Sequence, residues 1–275
     1  MDAGDWASVM DEVWRSHSRQ WALVGPPLRP SPFDVAVVHD VAGGFGRPPR
    51  VLLLGVTPEV ACLAWPVGTR LRAVDRSVEM IGEVWPRHGL PEGAVAEVGD
   101  WEALPMDRGA DLVVADGAFI CLPWPLGAAG LLARVAGALA PDGRAVLRFF
   151  VRPDRSEPID QVADDLWMGR LAGFNTFKLR LLAAVAGDGP QVRLADVHEA
   201  FEQIVPDRAA LARRLGWDLA VIGTIDAYRG SEAVYALPTR DEVALAVAVA
   251  FRVEAVCVGD YQLAERCPSF VLSPR

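Results

Sequence analysis

With 275 residues, 52% of them hydrophobic and 23% charged, the chain is long and apolar enough to bury a large core. A net charge of −9 leaves no basic face for an extended nucleic-acid footprint, and no apolar run reaches the roughly 20 residues that cross a bilayer. The four cysteines and four histidines lack ligand spacing, so buried thiols are expected and a metal is not.

The chain opens MDAGDWASVMDEVW, acidic and amphipathic where a signal peptide is basic and then apolar, which implies a cytoplasmic protein. Residues 5–23 place Trp6, Trp14 and Trp21 at near-helical spacing, ahead of the proline-rich GPPLRPSP. A packing helix with a linker and a helix folded over a ligand both fit this arm, residues 1–34.

A core region, 35–151, follows. Strand patterns at 51–55, 70–75, 94–98, 111–116 and 144–151 alternate with helix patterns. The helices span 58–65, stopped by Pro66, then 77–85, stopped by Pro86, and 127–139, stopped by PDG. Crossovers of this length build a doubly wound α/β sheet with its ligand crevice at the carboxyl ends of the strands. Residues 152–240 are mainly helical, a cap attached to the sheet edge. Residues 241–275 supply a helix, RDEVALAVAVAF, and two strands, RVEAVCVG and SFVLSP, that pair antiparallel and make the sheet mixed.

The stretch VLLLGVTPE, residues 51–59, runs a buried strand into a turn where nucleotide-binding folds carry several glycines. Here only Gly55 is present. Thr57 suits an N-cap, Pro58 the first helical position and Glu59 the first turn. A phosphate would meet a missing N–H at Pro58 and a like charge at Glu59, so a pyrophosphate ligand is disfavoured. A ligand pairing adenosine with an ammonium or sulfonium is not. Asp75 ends the second strand 20 residues after Gly55, the offset at which an acid takes ribose hydroxyls. Asp100 and Trp101 follow the third strand, placed to accept from an adenine amino group and to stack on its ring. Capping of the next helices is the alternative role for both acids.

In this order, AVDRSVEMI, VGDWEALPM, ADLVVADGAF and LLARVAGALAPDGRAVL resemble the successive motifs of class I S-adenosylmethionine-dependent methyltransferases. The resemblance covers residues 51–151, and the closing helix and strands fit the same fold. It implies a Rossmann-like, doubly wound, seven-stranded mixed sheet with S-adenosylmethionine as cofactor. It also implies Gly55, Asp75, Met80, Asp100 and Trp101 as cofactor-binding residues, and Thr57, Arg76, Asp116 and Gly117 join them as candidates from their places at the strand ends. The whole sequence is most similar to bacterial members carrying the same G-V-T-P-E turn. It departs from the family's glycine- and acid-rich loop by placing Leu53, Thr57 and Glu59 there. Glu59, or a backbone carbonyl near Gly55, is then expected to hold the cofactor's ammonium.

Methyl transfer from a sulfonium needs in-line placement of the acceptor and, for weakly acidic acceptors, a base. No N-P-P-Y signature or His–Asp dyad is present. Asp116 and Tyr228 are the catalytic candidates. The chain's single lysine, Lys178, lies with Asn175, Phe174, Phe177 and Arg180 in FNTFKLRL, and GTIDAYRGSEAVY contributes Asp226, Tyr228, Arg229 and Tyr235. Asn175, Lys178, Tyr228 and Tyr235 form the candidate site for a small, carboxylate-bearing substrate, against the plainer reading of a solvated basic helix face. Two rival functions stay open: transfer or cyclisation of the cofactor's aminocarboxypropyl arm, releasing methylthioadenosine, and non-catalytic cofactor binding.

Overall fold

The computed structural model describes residues 3–275, apart from the side chains of residues 3–9 and 11, so that of Trp6 lies outside the described residues. Among the described residues nine strands form two sheets: β1 (Arg50–Leu54), β2 (Arg70–Asp75), β3 (Val95–Val98), β4 (Ala110–Asp116), β5 (Leu139–Arg148), β6 (Gln191–Arg193), β7 (Val234–Ala236), β8 (Phe251–Cys257) and β9 (Ser269–Pro274). The main sheet is seven-stranded in the order β3-β2-β1-β4-β5-β9-β8. Its first five strands are parallel and β9 is antiparallel to both β5 and β8. This is a Rossmann-like, doubly wound mixed sheet. The strand order reverses between β1 and β4, which opens a crevice beyond their carboxyl ends.

The helices are α1 (Ala3–Gln20), α2 (Pro32–Gly43), α3 (Pro58–Ala61), α4 (Val78–Val84), α5 (Leu126–Ala138), α6 (Ile159–Trp167), α7 (Phe174–Ala186), α8 (Leu194–Ile204), α9 (Arg208–Leu215), α10 (Leu219–Gly223) and α11 (Arg240–Val247). Side chains alternate across the strands, so one sheet face presents Val51, Leu53, Leu71, Leu112 and Val114 to α2, α3 and α4. The other presents Leu52, Leu54, Val113, Ala115 and Leu147 to α5 and α11. With both faces covered, β1 and β4 read as unbroken apolar runs. At the opposite end from the crevice, Arg47 and Arg50 both grip the buried Asp111 carboxylate.

Three expectations change in detail. The helix expected over 58–65 stops after one turn as α3, because the Trp65 indole N–H donates to the carbonyls of Val60 and Ala61 (3.1 and 3.3 Å). PDG does not precede β5 but lies within it as a bulge, where the register against β4 shifts. A Cβ on Gly143 would meet the Ala140 carbonyl at 2.9 Å, so the bulge needs glycine. In the cap, β6 and β7 pair antiparallel across 40 intervening residues that hold three helices. No local periodicity announces such a pairing.

The cap has its own core, built on α7, whose residues Phe174 to Ala184 are all buried. Met10 and Val13 of α1 join it. α1 also packs along α4, so the arm bridges cap and sheet. Among the described residues no helix is long and apolar enough to cross a membrane. Of the four thiols, Cys121 and Cys267 are buried, Cys257 is partly so and Cys62 is exposed, the last a departure from expectation.

Candidate functional site

A cavity of about 510 Å³ lies at the crevice between β1 and β4. Its walls come from the ends of β1, β2 and β4, from Asp100 to Glu102, and from Met10, Trp14 and Trp21 of the arm. Cys121, Gln191 and Val234 close the cap side. Gly55, Thr57, Asp75, Arg76, Met80, Asp100, Trp101, Asp116 and Gly117 all line it. Glu59, Asn175, Lys178, Tyr228 and Tyr235 do not line it.

Backbone conformation shapes the floor. Gly55 has φ +91° and donates its N–H to the Val74 carbonyl at 2.9 Å, which ends β1 in a turn that a side chain would strain. Gly117, at φ +66°, has the Phe150 ring 2.6 Å from where a Cβ would stand. Asp75 ends β2 and accepts from the Ser77 N–H at 2.8 Å, while the Ser77 hydroxyl caps α4 at the Met80 N–H. Asp100 accepts from the Glu102 N–H at 2.9 Å. Both acids therefore do cap local turns, and both also present to the cavity. Trp101 is held by its indole N–H, which donates to the Val74 carbonyl at 2.7 Å.

Asp116 is engaged by Arg148, which is 3% exposed and carries its other hydrogen bond to the Pro27 carbonyl at 2.9 Å. Burial and the Asp116 carboxylate act in opposite directions on this guanidinium, and the carboxylate prevails, holding its pKa above the ordinary arginine value. The pair ties the ends of β4 and β5 to the arm. Glu59 is likewise occupied, accepting from Arg29 Nε at 2.7 Å. Thr57 stands at the N-cap of α3 without making a side-chain cap.

Behind the cap-side wall lies a polar cluster. Lys178, 2% exposed, donates to the Thr224 hydroxyl at 3.2 Å and sits 5.5 Å over the Tyr228 ring. Among the described residues it has no carboxylate partner. Burial pushes its pKa down to about 8. Tyr228 packs edge-on against Tyr235, whose hydroxyl lies 3.3 Å from His17 Nε2. Burial and Lys178 push His17 down to about 3. His17 in turn touches the cavity-lining Trp14 with ring centroids 5.5 Å apart. Asn175 is buried with its Oδ1 unpartnered. The FNTFKLRL helix is thus no solvated face, and Arg180 pairs with Glu157 and Asp165.

Asp226 belongs to another group, accepting from Arg208, Arg229 and His198. His198, Glu202 and Asp226 have metal-ligand proximity, but Arg208 bridges both carboxylates and supplies the cation there. The cavity residues that sequence reasoning did not select are Met10, Glu102, Cys121, Gln191 and Val234 among others. Only the arm tryptophans had signalled themselves, by spacing.

No protein-family model and no curated protein matches the chain. Solved structures do. The Burkholderia thailandensis 1,6-didemethyltoxoflavin-N1-methyltransferase, solved with 1,6-didemethyltoxoflavin and S-adenosylhomocysteine, aligns over 100% of this chain and 91% of its own, at TM-score 0.56 and 16% identity. The N-methyltransferase NodS from Bradyrhizobium japonicum, in complex with S-adenosylhomocysteine, aligns over 96% of this chain and 98% of its own, at TM-score 0.51 and 13% identity. A Rhodobacter sphaeroides protein described as a zinc-dependent alcohol dehydrogenase aligns over 94% and 98%, at TM-score 0.55 and 13% identity. Likeness at these identities carries the fold, and the fold is the Rossmann-like one of class I S-adenosylmethionine-dependent methyltransferases.

Proposed function

We propose that the chain is an S-adenosylmethionine-dependent methyltransferase acting on a small molecule. The observation that carries this reading is the cavity at the β1–β4 crevice, where Gly55, Asp75, Met80, Asp100 and Trp101 converge beside a first turn unsuited to pyrophosphate. The residues fit the cofactor. Asp75 would take the ribose hydroxyls, Met80 and Trp101 would flank the adenine, and Asp100 would accept from its amino group. Gly55, Thr57 and Gly117 leave room for the chain that leads to sulfur. S-adenosylmethionine, when bound, supplies a methyl group on sulfonium sulfur. The protein's part is to exclude water and aim the acceptor, and Met10, Trp14 and Trp21 provide the apolar roof for that.

In its finer form the acceptor bears a carboxylate drawn by Lys178, which stands with Asn175, Tyr228 and Tyr235 behind the cap-side wall and not on the cavity surface itself. Lys178 supports this, since a buried ammonium without a counter-charge is costly and an anionic ligand would offset it. Asp116, held by Arg148, acts by position more than by taking a proton.

Incubation of the protein with methyl-labelled S-adenosylmethionine and a small-molecule extract tests the proposal. Labelled acceptor together with S-adenosylhomocysteine is expected. Methylthioadenosine as the product would instead establish aminocarboxypropyl chemistry, and tight binding with no turnover in any extract would leave a cofactor-binding protein.

A further inference from the structure

In the paired strands β6 and β7, Val192 and Tyr235 stand opposite each other and are both buried in the cap core. Successive side chains of a strand point to opposite faces, so Gln191, Arg193 and Val234 project the other way. That second face meets the cavity, where Gln191 and Val234, diagonal neighbours across the pair, both line the wall. Arg193 is taken up by Asp196 and Glu232. Gln191 is exposed, and among the described residues its carboxamide has no protein partner.

The surroundings of Gln191 are apolar and uncharged. β7 packs on the turn Ala118–Cys121 that follows β4, which places Gln191 and Val234 on one wall with Cys121, Leu122 and Pro123. On the arm side, Trp14 is half-buried and its side chain hydrogen-bonds to Cys121, which fixes the ring at this end of the cavity. Burial pushes the Cys121 pKa up, so the thiol keeps its proton. The charged side chains lining the cavity come from elsewhere: Asp75, Arg76 and Asp116 from the ends of β2 and β4, Asp100 and Glu102 from the segment after β3. Gln191 is therefore, among the described residues, the one strong donor and acceptor on this wall.

A carboxamide presents its Nε2–H donor beside its Oε1 acceptor in one plane. The complement is an edge carrying N–H next to C=O, the pattern of a lactam, and the Trp14 ring beside it is a platform for a flat molecule. We propose that Gln191 is the specificity-determining residue for the acceptor, and that the acceptor is a flat ring lying against Trp14 with an amide-like edge turned to Gln191. This rests on the S-adenosylmethionine reading of the cavity and names the acceptor's class. It is independent of the carboxylate assigned to Lys178. An edge without the N–H sets a second acceptor against Gln191 Oε1, and the site discriminates against it.

Two probes of one shape test this. 2-Quinolone carries N–H beside its carbonyl, and coumarin carries a ring oxygen in the same place. Each is titrated calorimetrically into the protein loaded with S-adenosylhomocysteine. 2-Quinolone is expected to bind about tenfold more tightly than coumarin, the worth of one hydrogen bond. Gln191→Met keeps the length of the side chain and removes both polar groups. It should bring the two probes within about twofold of each other, while S-adenosylhomocysteine affinity stays within about twofold of the parent and shows the cofactor site to be intact. Equal affinity for the probes in the parent, a preference that persists in Gln191→Met, or no binding of either probe overturns the assignment and leaves the cofactor reading standing. Failure of the parent protein to bind S-adenosylhomocysteine overturns both.

Discussion

Replacing Lys178 by methionine should make this protein more stable. The Lys178 side chain is 2% exposed and has one hydrogen bond to Thr224, one ring contact with Tyr228 and, among the described residues, no carboxylate partner. Its pKa falls from 10.5 to about 8. At 1.36 kcal/mol per unit, that shift corresponds to roughly 3 kcal/mol by which burial disfavours the charged form. Methionine fills similar volume without a charge. It forfeits the hydrogen bond and the cation–π contact, together about 2 kcal/mol at the low end of their ranges, so a net gain of about 1 kcal/mol is expected at pH 7. The sign with pH follows from proton counts. Between pH 8 and 10.5 the unfolded lysine keeps its proton and the native one has lost it, so wild-type stability rises through this window, and below it Lys178 imposes its full cost with no dependence on pH. Urea denaturation of both proteins from pH 7 to 10.5 measures the difference, in which other alkaline titrations cancel. The variant's advantage should shrink steadily across the window. A variant less stable than wild type at pH 7, or an advantage constant with pH, refutes the reasoning. The substitution also raises the pKa of His17, which Lys178 helps to hold at about 3, so the variant should lose less stability on acidification below pH 6.5. If the variant is both more stable and unable to methylate its acceptor, the lysine is retained for function at a cost in stability.

Trp101→Ala should weaken S-adenosylhomocysteine by about 1–3 kcal/mol in calorimetry, the worth of a stacked base. It should weaken methylthioadenosine equally. Gly117→Ala places a methyl against Phe150 at a left-handed backbone position, and chemical denaturation should show a loss of about 1–3 kcal/mol. Asp111→Asn removes the buried charge that Arg47 and Arg50 share, far from the cavity. It should cost about 1–3 kcal/mol of stability and leave cofactor affinity unchanged. Because those arginines hold the Asp111 pKa well below the usual carboxylate range, its contribution is present above the unfolded carboxylate pKa and is lost as pH falls further.

The parallel half of the sheet was legible because strands buried on both faces write themselves as apolar runs between prolines and glycines; β2 runs over the very residues 70–75 that the sequence marks. Where side chains reached across the chain, the sequence was silent. Trp65 turning back onto Val60 and Ala61 ends α3 early, and β6 pairs with β7 across three intervening helices. The cavity-lining candidates stood out because they follow strand ends at fixed offsets. The polar partners did not: Arg29 on Glu59 and Arg148 on Asp116 join residues 30 and 32 positions apart. Those two ion pairs decide what Glu59 and Asp116 are free to do. Lys178 was singled out as the only lysine, yet its full burial depends on the tertiary enclosure of α7 on every side, which helical periodicity does not encode.

The central claim is that the cavity at the β1–β4 crevice is built for S-adenosylmethionine. Isothermal titration of the purified protein with S-adenosylmethionine, set beside NAD and ATP, tests it directly. One molecule of S-adenosylmethionine per chain should bind, with affinity lowered at least tenfold by Asp75→Ala, and neither pyrophosphate-bearing ligand should bind. No heat with S-adenosylmethionine, or preferential binding of NAD or ATP, would contradict the account.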